Sequence, residues 1–283
     1  MDINWFPGHM AKALRNIKQN LAKVDLVIET CDARIPKASR NPQLDSIIDN
    51  KPRILVLNKA DLADENITNL WIEKLLAENV AAIAIDGTRT SEAKYLRDKC
   101  LSVCSGKIER AKAKGRLIRP VRAMVVGIPN TGKSTIINTL SKKKIAATSD
   151  RPGVTRAPQW VRAGEDLELM DMPGVLWPKI EDKNEQILLA ATGAIRDTVL
   201  DTVEVAYKMF LLLSEICPDK MTERYKIDTT DVTGYESFEE AAKKRGCILS
   251  GGRVDEERFA ALLLDELRAG MIGRITFEKP FKF

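Results

Sequence analysis

The sequence predicts an α/β fold, a mostly parallel sheet with helices on both faces, followed by a small all-helical C-terminal domain. Short apolar runs bounded by polar turns recur at Leu26-Val27-Ile28, Ile54-Leu55-Val56-Leu57, Ala81 to Ile85, Met124-Val125-Val126 and Leu167-Glu168-Leu169-Met170, with helical periods between most of them. Near-continuous apolar strands alternating with helices are what a sheet covered on both faces requires. A glycine-bearing loop at residues 127–134 follows one of these strands directly and opens a helix. Beyond Trp177-Pro178 the strand signals stop, which divides the chain into residues 1–178 and 179–283.

Each element has a local reason. Ala11 to Lys23 carries Leu14, Ile17 and Leu21 at helical spacing with basic residues between them, the pattern of an amphipathic helix leading into the first strand. Residues 105–122 hold seven basic residues and one acid, and read as an exposed connection that is either a solvated linker or an RNA contact. In the last third, Val203, Ala206, Phe210, Leu213 and Cys217 share one helical face, and Pro218 is expected to close that helix. Asp255-Glu256-Glu257 forms an acidic helix start, Phe259, Leu262, Leu263 and Leu267 supply the apolar face, and Gly270 stops it.

Composition narrows the class. At 283 residues the chain makes one large or two ordinary domains. No apolar run approaches the roughly 18 residues that cross a membrane, and the N-terminus lacks the pattern of a secretory signal, so a cytoplasmic protein without membrane association is expected. Five scattered cysteines without a C-x-x-C pair, and a single histidine, support neither a disulfide framework nor a zinc site. Residues 1–179 carry 30 Lys/Arg against 20 Asp/Glu, and residues 180–283 carry 15 against 20. The surplus in the first part suits a polyanion such as RNA, or simply a solvated face.

The chemistry-bearing residues form a set. Gly127-Ile128-Pro129-Asn130-Thr131-Gly132-Lys133-Ser134-Thr135 matches a phosphate-binding loop. Its backbone N–H groups, including those of Thr131, Gly132 and Thr135, would wrap phosphates, Lys133 would reach the β- and γ-phosphates, and Ser134 would offer a hydroxyl to Mg²⁺. Asn58-Lys59-Ala60-Asp61 ends a buried strand. There Asp61 could accept from N1–H and N2–H₂ of guanine, which adenine lacks, while Asn58 would reach the far side of the base and the stem of Lys59 would cover its face.

Asp171-Met172-Pro173-Gly174 follows another strand, so Asp171 could hold Mg²⁺ and the Gly174 N–H meet the γ-phosphate. Thr155 lies where a switch threonine should close on Mg²⁺ and γ-phosphate, and the Gly87 N–H is placed to reach guanine O6. The guanine tetrapeptide precedes the phosphate loop, the reverse of the usual order. The first domain is therefore expected to be a circularly permuted P-loop GTPase domain binding GTP and GDP.

Val175 stands where Ras-like enzymes carry the glutamine that orients the attacking water, which predicts slow intrinsic turnover. Three candidates for positioning water stay open: His9, read as part of an N-terminal loop; Asn130, which resembles the asparagine that helps hold K⁺ beside the phosphates in potassium-activated GTPases; and an element supplied in trans.

On the motif order, together with Trp5-Phe6-Pro7-Gly8-His9-Met10, Asp32-Ala33-Arg34-Ile35-Pro36, Ser39-Arg40-Asn41-Pro42, Pro173 to Pro178, Lys244 to Cys247 and Ser250-Gly251-Gly252, the chain resembles the YlqF/RbgA family of circularly permuted ribosome-assembly GTPases. The resemblance implies a cytoplasmic bacterial factor for late large-subunit (50S) assembly. It further implies that the factor binds the precursor with GTP, contacts rRNA and ribosomal proteins through the helical domain, and leaves on hydrolysis. Off the ribosome a monomer is expected. For RNA, Lys243, Lys244, Arg245 and Arg253 cluster at a glycine-rich turn, and Arg268 and Arg274 flank the last helix. The competing readings are a P-loop phosphotransferase and an RNA-binding module that uses GTP structurally.

Overall fold

The structure is a computed structural model and describes residues 8–48, 50–117, 119–142, 158–197, 201–229 and 234–280, with side chains from residue 11 onward. Thr155 lies outside the described residues.

Six strands form one sheet in the order β3-β2-β1-β4-β6-β5: β1 (Leu26–Asp32), β2 (Arg53–Asn58), β3 (Ala81–Ile85), β4 (Val121–Gly127), β5 (Gln159–Arg162) and β6 (Leu167–Asp171). All neighbours pair parallel except β5 with β6. The five predicted strands form, and β5 is an addition. Its Gln159-Trp160-Val161-Arg162 shows one buried position, Val161, because an edge strand buries a single face, and so it lacks the apolar run that marks the others. Counted from β4, the strand feeding the phosphate loop, the spatial order becomes 2-3-1-4-5-6 with the second strand antiparallel. The sheet is thus an open, mostly parallel one that the chain enters at its fourth strand, as the reversed motif order requires.

Helices α1 (Gly8–Asn20), α2 (Pro42–Ile48) and α3 (Glu65–Ala77) cover one face, while α4 (Thr90–Val103) and α6 (Lys133–Ser141) cover the other. Val27, Met124, Val126 and Met170 point to the first face, and Ile28, Ile54, Val56, Val125 and Leu169 to the second, following the two-residue period of a strand. Between α4 and β4, residues 105–113 form a helix, α5 (Ser105–Ala113), rather than an open connection. Two of its neighbourhood's cations have a structural task. Lys107 pairs with the buried Asp25 carboxylate, as does Arg119 at 2.8 Å.

The C-terminal third is helical: α7 (Lys183–Ala191), α8 (Thr202–Ile216), α9 (Pro218–Tyr225), α10 (Tyr235–Lys244) and α11 (Glu256–Arg268). Asp182, Asp201 and Asp255 cap α7, α8 and α11 by accepting from first-turn N–H groups. Pro218 does not simply close α8. It occupies the first position of α9, where its missing N–H costs no hydrogen bond. The largest apolar core runs without interruption from α1 and α2, across the first sheet face, into α7, α8, α10 and α11.

Candidate nucleotide site

The chain runs from β1 outward to β3, then returns to β4 on the other side of β1, so the switch point of the sheet lies between β1 and β4. Ligands of open α/β sheets bind at the carboxyl ends of the strands at such a point. The loop after β4 and the start of α6 supply the phosphate cradle, β2 ends on Asn58, and β6 ends on Asp171, so three separate motifs meet along one sheet edge.

The cradle is held from below and from the side. Thr30 Oγ1, buried in β1, lies 2.7 Å from Thr131 Oγ1, and Thr131 Oγ1 also donates to the Ile128 carbonyl at 3.0 Å. Asn58 Nδ2 donates to the Thr131 carbonyl at 2.8 Å. Gly132 has φ +84°, and a Cβ there would sit 2.0 Å from Asn58 Nδ2, so no other residue fits between cradle and tetrapeptide. Lys133 is buried and donates from Nζ to the Ile128 carbonyl at 2.7 Å. Burial pulls its ammonium down to about 8, with Asp171 working in the other direction. Gly174 also approaches closely, since a Cβ would meet the Pro129 backbone at 2.9 Å and Lys133 Nζ at 3.0 Å.

On the base side two expectations change. Asn58 is 3% exposed, and its amide is committed: Nδ2 to Thr131, and Oδ1 to the Gly87 N–H at 2.8 Å. It therefore joins the phosphate loop to the loop after β3 instead of reaching across a base, and the Gly87 N–H is occupied by Asn58 rather than directed at a guanine oxygen. Lys59 adopts φ +60° and pairs with the buried Asp32 carboxylate at 3.0 Å. Burial would raise the Asp32 carboxyl, but Arg34 and Lys59 outweigh it and hold Asp32 well below the usual carboxylate range. Asp61 is exposed, and its carboxyl is raised by partial burial and by Asp86 nearby.

Val175 is 1% exposed, its N–H donates to the Gly127 carbonyl at 3.2 Å, and its carbonyl accepts from Asn41 Nδ2 at 2.9 Å. No water-orienting side chain stands at that position. Asn130 takes φ +60° and donates from Nδ2 to the Gly193 carbonyl, just past α7, at 2.6 Å, a tie between cradle and helical region. His9 lies within α1 and not in a loop, because the helix begins at Gly8; its side chain falls outside the described ones.

The donor set fits Mg²⁺. Ser134 stands in the first turn of α6, Asp171 is a fully buried carboxylate ending β6, and β4 and β6 are paired neighbours. Among the described residues no cluster of three His, Cys, Asp or Glu could hold a metal.

A family model described as "50S ribosome-binding GTPase" matches residues 122–244, beginning at β4 with the phosphate loop and leaving the guanine tetrapeptide upstream of the match. The chain is 45% identical to ribosome biogenesis GTPase A of Bacillus cereus, over 100% of this chain and 96% of that protein. The chain belongs to the ribosome biogenesis GTPase A family. The Thermotoga maritima family protein is 31% identical over 98% of this chain and 95% of its own length. The crystal structure of GNP-bound YlqF from T. maritima superposes with a TM-score of 0.71 at 29% identity, covering 96% of this chain and 100% of that one. As a member of the ribosome biogenesis GTPase A family, this chain is a GTPase, binding GTP and GDP on a circularly permuted domain.

The basic cluster foreseen for RNA is partly spoken for. Arg245 pairs with the largely buried Glu266, and Lys244 with Glu240 at 2.6 Å. Lys243 and Arg253 are exposed, with Lys243 3.9 Å from Glu239. Arg268 donates to the Ala190 and Ala191 carbonyls that end α7 and pairs with Asp197 at 2.7 Å. Thr30, Asp32 and Gly193 contribute to the site with no motif of their own. Asp32 belongs to the Asp32-Ala33-Arg34-Ile35-Pro36 string, which carries the family resemblance.

Proposed function

We propose that this GTPase acts in assembly of the large ribosomal subunit in the bacterial cytoplasm, binding the precursor with GTP and leaving after hydrolysis. The observation that carries it is the burial of Val175 beside the phosphate cradle: the site can hold nucleotide but carries valine at the position where a glutamine would orient water. Turnover is slow alone and is stimulated by the particle. The relatives' names support ribosome assembly as the setting. Among the described residues no helix is long and apolar enough to cross a membrane.

In this reading Lys133 leaves the Ile128 carbonyl to neutralise the β- and γ-phosphates, with N–H groups of Asn130, Thr131, Gly132, Ser134 and Thr135 around them. Ser134 and Asp171 hold Mg²⁺, which offsets phosphate charge when bound, and Thr155 completes that set. The Gly174 N–H meets the γ-phosphate, and its close approach to Pro129 and Lys133 makes it sensitive to the loss of that group. Asp61 reads guanine, and Asn58, Lys59 and Gly87 keep its loop in register with the cradle. Asn130 is the candidate partner for K⁺, and His9 or an element of the particle is the alternative source of water positioning. Lys243, Lys244 and Arg253 are the candidate rRNA contacts. Residues 1–178 form the GTPase unit and 179–283 the helical, particle-facing unit, and the protein is a monomer off the particle.

Multiple-turnover hydrolysis with and without large-subunit precursor, paired with co-sedimentation in GTP and GDP, tests the proposal. Stimulation by the precursor and retention with GTP are expected. Equal binding to all ribosomal particles in both nucleotides would overturn it.

A further inference from the structure

The segment after α11 returns to the guanine tetrapeptide. Arg274 donates from Nε to the Ala63 carbonyl at 2.8 Å and from a terminal nitrogen to the Ala60 carbonyl at 3.3 Å, and it pairs with Glu65 at 3.2 Å. The Ile275 N–H donates to the Leu62 carbonyl at 3.0 Å, and the Asp64 N–H donates to Thr276 Oγ1 at 3.0 Å. The backbones of residues 60, 62, 63 and 64 are thus held between them by three consecutive residues, 274–276. The loop so held is the one that carries Asp61.

The grip continues across the neighbouring loop. The Phe277 N–H donates to the Arg34 carbonyl at 2.9 Å, and Trp71 Nε1 donates to the Glu278 carbonyl at 2.8 Å. Glu278 in turn accepts from the Lys37 and Ala38 N–H groups through its carboxylate. Arg34 donates to the Leu267 carbonyl at 3.1 Å while its other nitrogens bind Asp32, the partner of Lys59. Gly270, at the end of α11, is packed so tightly on this loop that a Cβ would sit 2.7 Å from Leu62.

We propose that residues 274–278 form part of the guanine site, with Arg274 a positioning residue that fixes the loop bearing Asp61 so that base discrimination depends on the docked C-terminal segment. The proposal rests on the reading of Asp61 as the guanine acceptor. Two hydrogen bonds to one carboxylate demand a narrow placement of that carboxylate, and a loop whose carbonyls lose their donors samples a wider one. Because docking favours guanine binding, bound guanine nucleotide favours docking to the same degree. A partner that draws α11 away from the sheet therefore weakens GDP binding.

The test compares Kd for GDP and for IDP, which lacks the 2-amino group and so makes one of the two bonds. Variants Arg274→Ala, Arg274→Lys and Thr276→Val are measured beside the unaltered chain, with melting temperatures recorded without nucleotide. Arg274 is half-exposed, and the melting temperature without nucleotide checks that its removal leaves the fold in place. In Arg274→Ala the preference for GDP over IDP falls about tenfold, the effect of one charge-assisted bond. Arg274→Lys, with one donor group in place of a fork, recovers part of it. If GDP and IDP weaken alike, or neither changes, Arg274 does not position Asp61 and the proposal is overturned. If the unaltered chain itself shows no preference for GDP over IDP, the guanine reading of Asp61 falls first and takes the proposal with it. Should Arg274→Ala melt early, the same ratio in Arg274→Lys and Thr276→Val decides.

Discussion

Lys133 has a folded-state pKa near 8 against an ordinary 10.5, set by burial and only partly countered by Asp171. The folded chain therefore binds fewer protons than the unfolded chain between those values, so this group costs stability below about pH 8 and the cost is relieved as pH rises to about 10.5. A phosphate beside Nζ favours the charged form. Binding of GDP at about pH 9 should take up close to one proton, and at about pH 7 almost none. Calorimetry in buffers of different ionisation enthalpy measures this, and equal uptake at both values would contradict it. Asp61 gives a second residue-level test. Asp61→Asn replaces two acceptor oxygens by one acceptor oxygen and an NH₂ donor, so GDP binding should weaken by about 100-fold or more while XDP, with an oxygen at C2, binds better.

Among elements, α8 to α11 close around an aromatic cluster in which Phe210, Phe238, Phe259 and Tyr225 are fully buried. Phe238 meets Phe259 at 4.9 Å and Phe210 at 5.5 Å between ring centroids, edge to face. Phe238→Ala should cost about 3–5 kcal/mol, read from the denaturant midpoint. Beside the cluster, Glu266 collects Arg224, Arg245 and the Tyr225 hydroxyl. Burial alone would raise the Glu266 carboxyl, but Arg224, Tyr225 and Arg245 bring it below its ordinary value. Its contribution is thus present above about pH 4.5 and is lost as pH falls through the lower folded value. Arg245→Ala should destabilise α10 and α11 by about 1–3 kcal/mol, since it strips a partner from a largely buried carboxylate, while Lys243→Ala should stay within about 0.5 kcal/mol. Equal stability loss in both variants would remove the distinction drawn between a structural arginine and an exposed lysine.

At the scale of the whole molecule, the largest core joins the sheet face under α1 and α2 to the helical region without a break. The helical region also reaches the nucleotide edge at two points, through Gly193 to Asn130 at the phosphate loop and through residues 274–276 to the guanine loop. Unfolding should accordingly be one transition, with near-UV and far-UV circular dichroism giving coincident midpoints. Two separable transitions would mean that the helices and the sheet fold as independent units.

The sequence by itself determined the sheet, the helices and the motif order. Buried parallel strands must be apolar throughout, as at residues 54–57, and a phosphate loop must place glycine and lysine at set spacings, as at Gly127, Gly132 and Lys133. Such requirements are local and therefore legible. The edge strand β5 was not, because half its side chains face solvent, and neither was the role of Asn58, whose partners Thr131 and Gly87 lie 73 and 29 residues away. Only the tertiary structure brought Arg274 to the carbonyls of Ala60 and Ala63, and committed Arg245 to Glu266 rather than to solvent. A cation in a sequence shows its charge, but which carbonyl or carboxylate it meets depends on how distant segments pack.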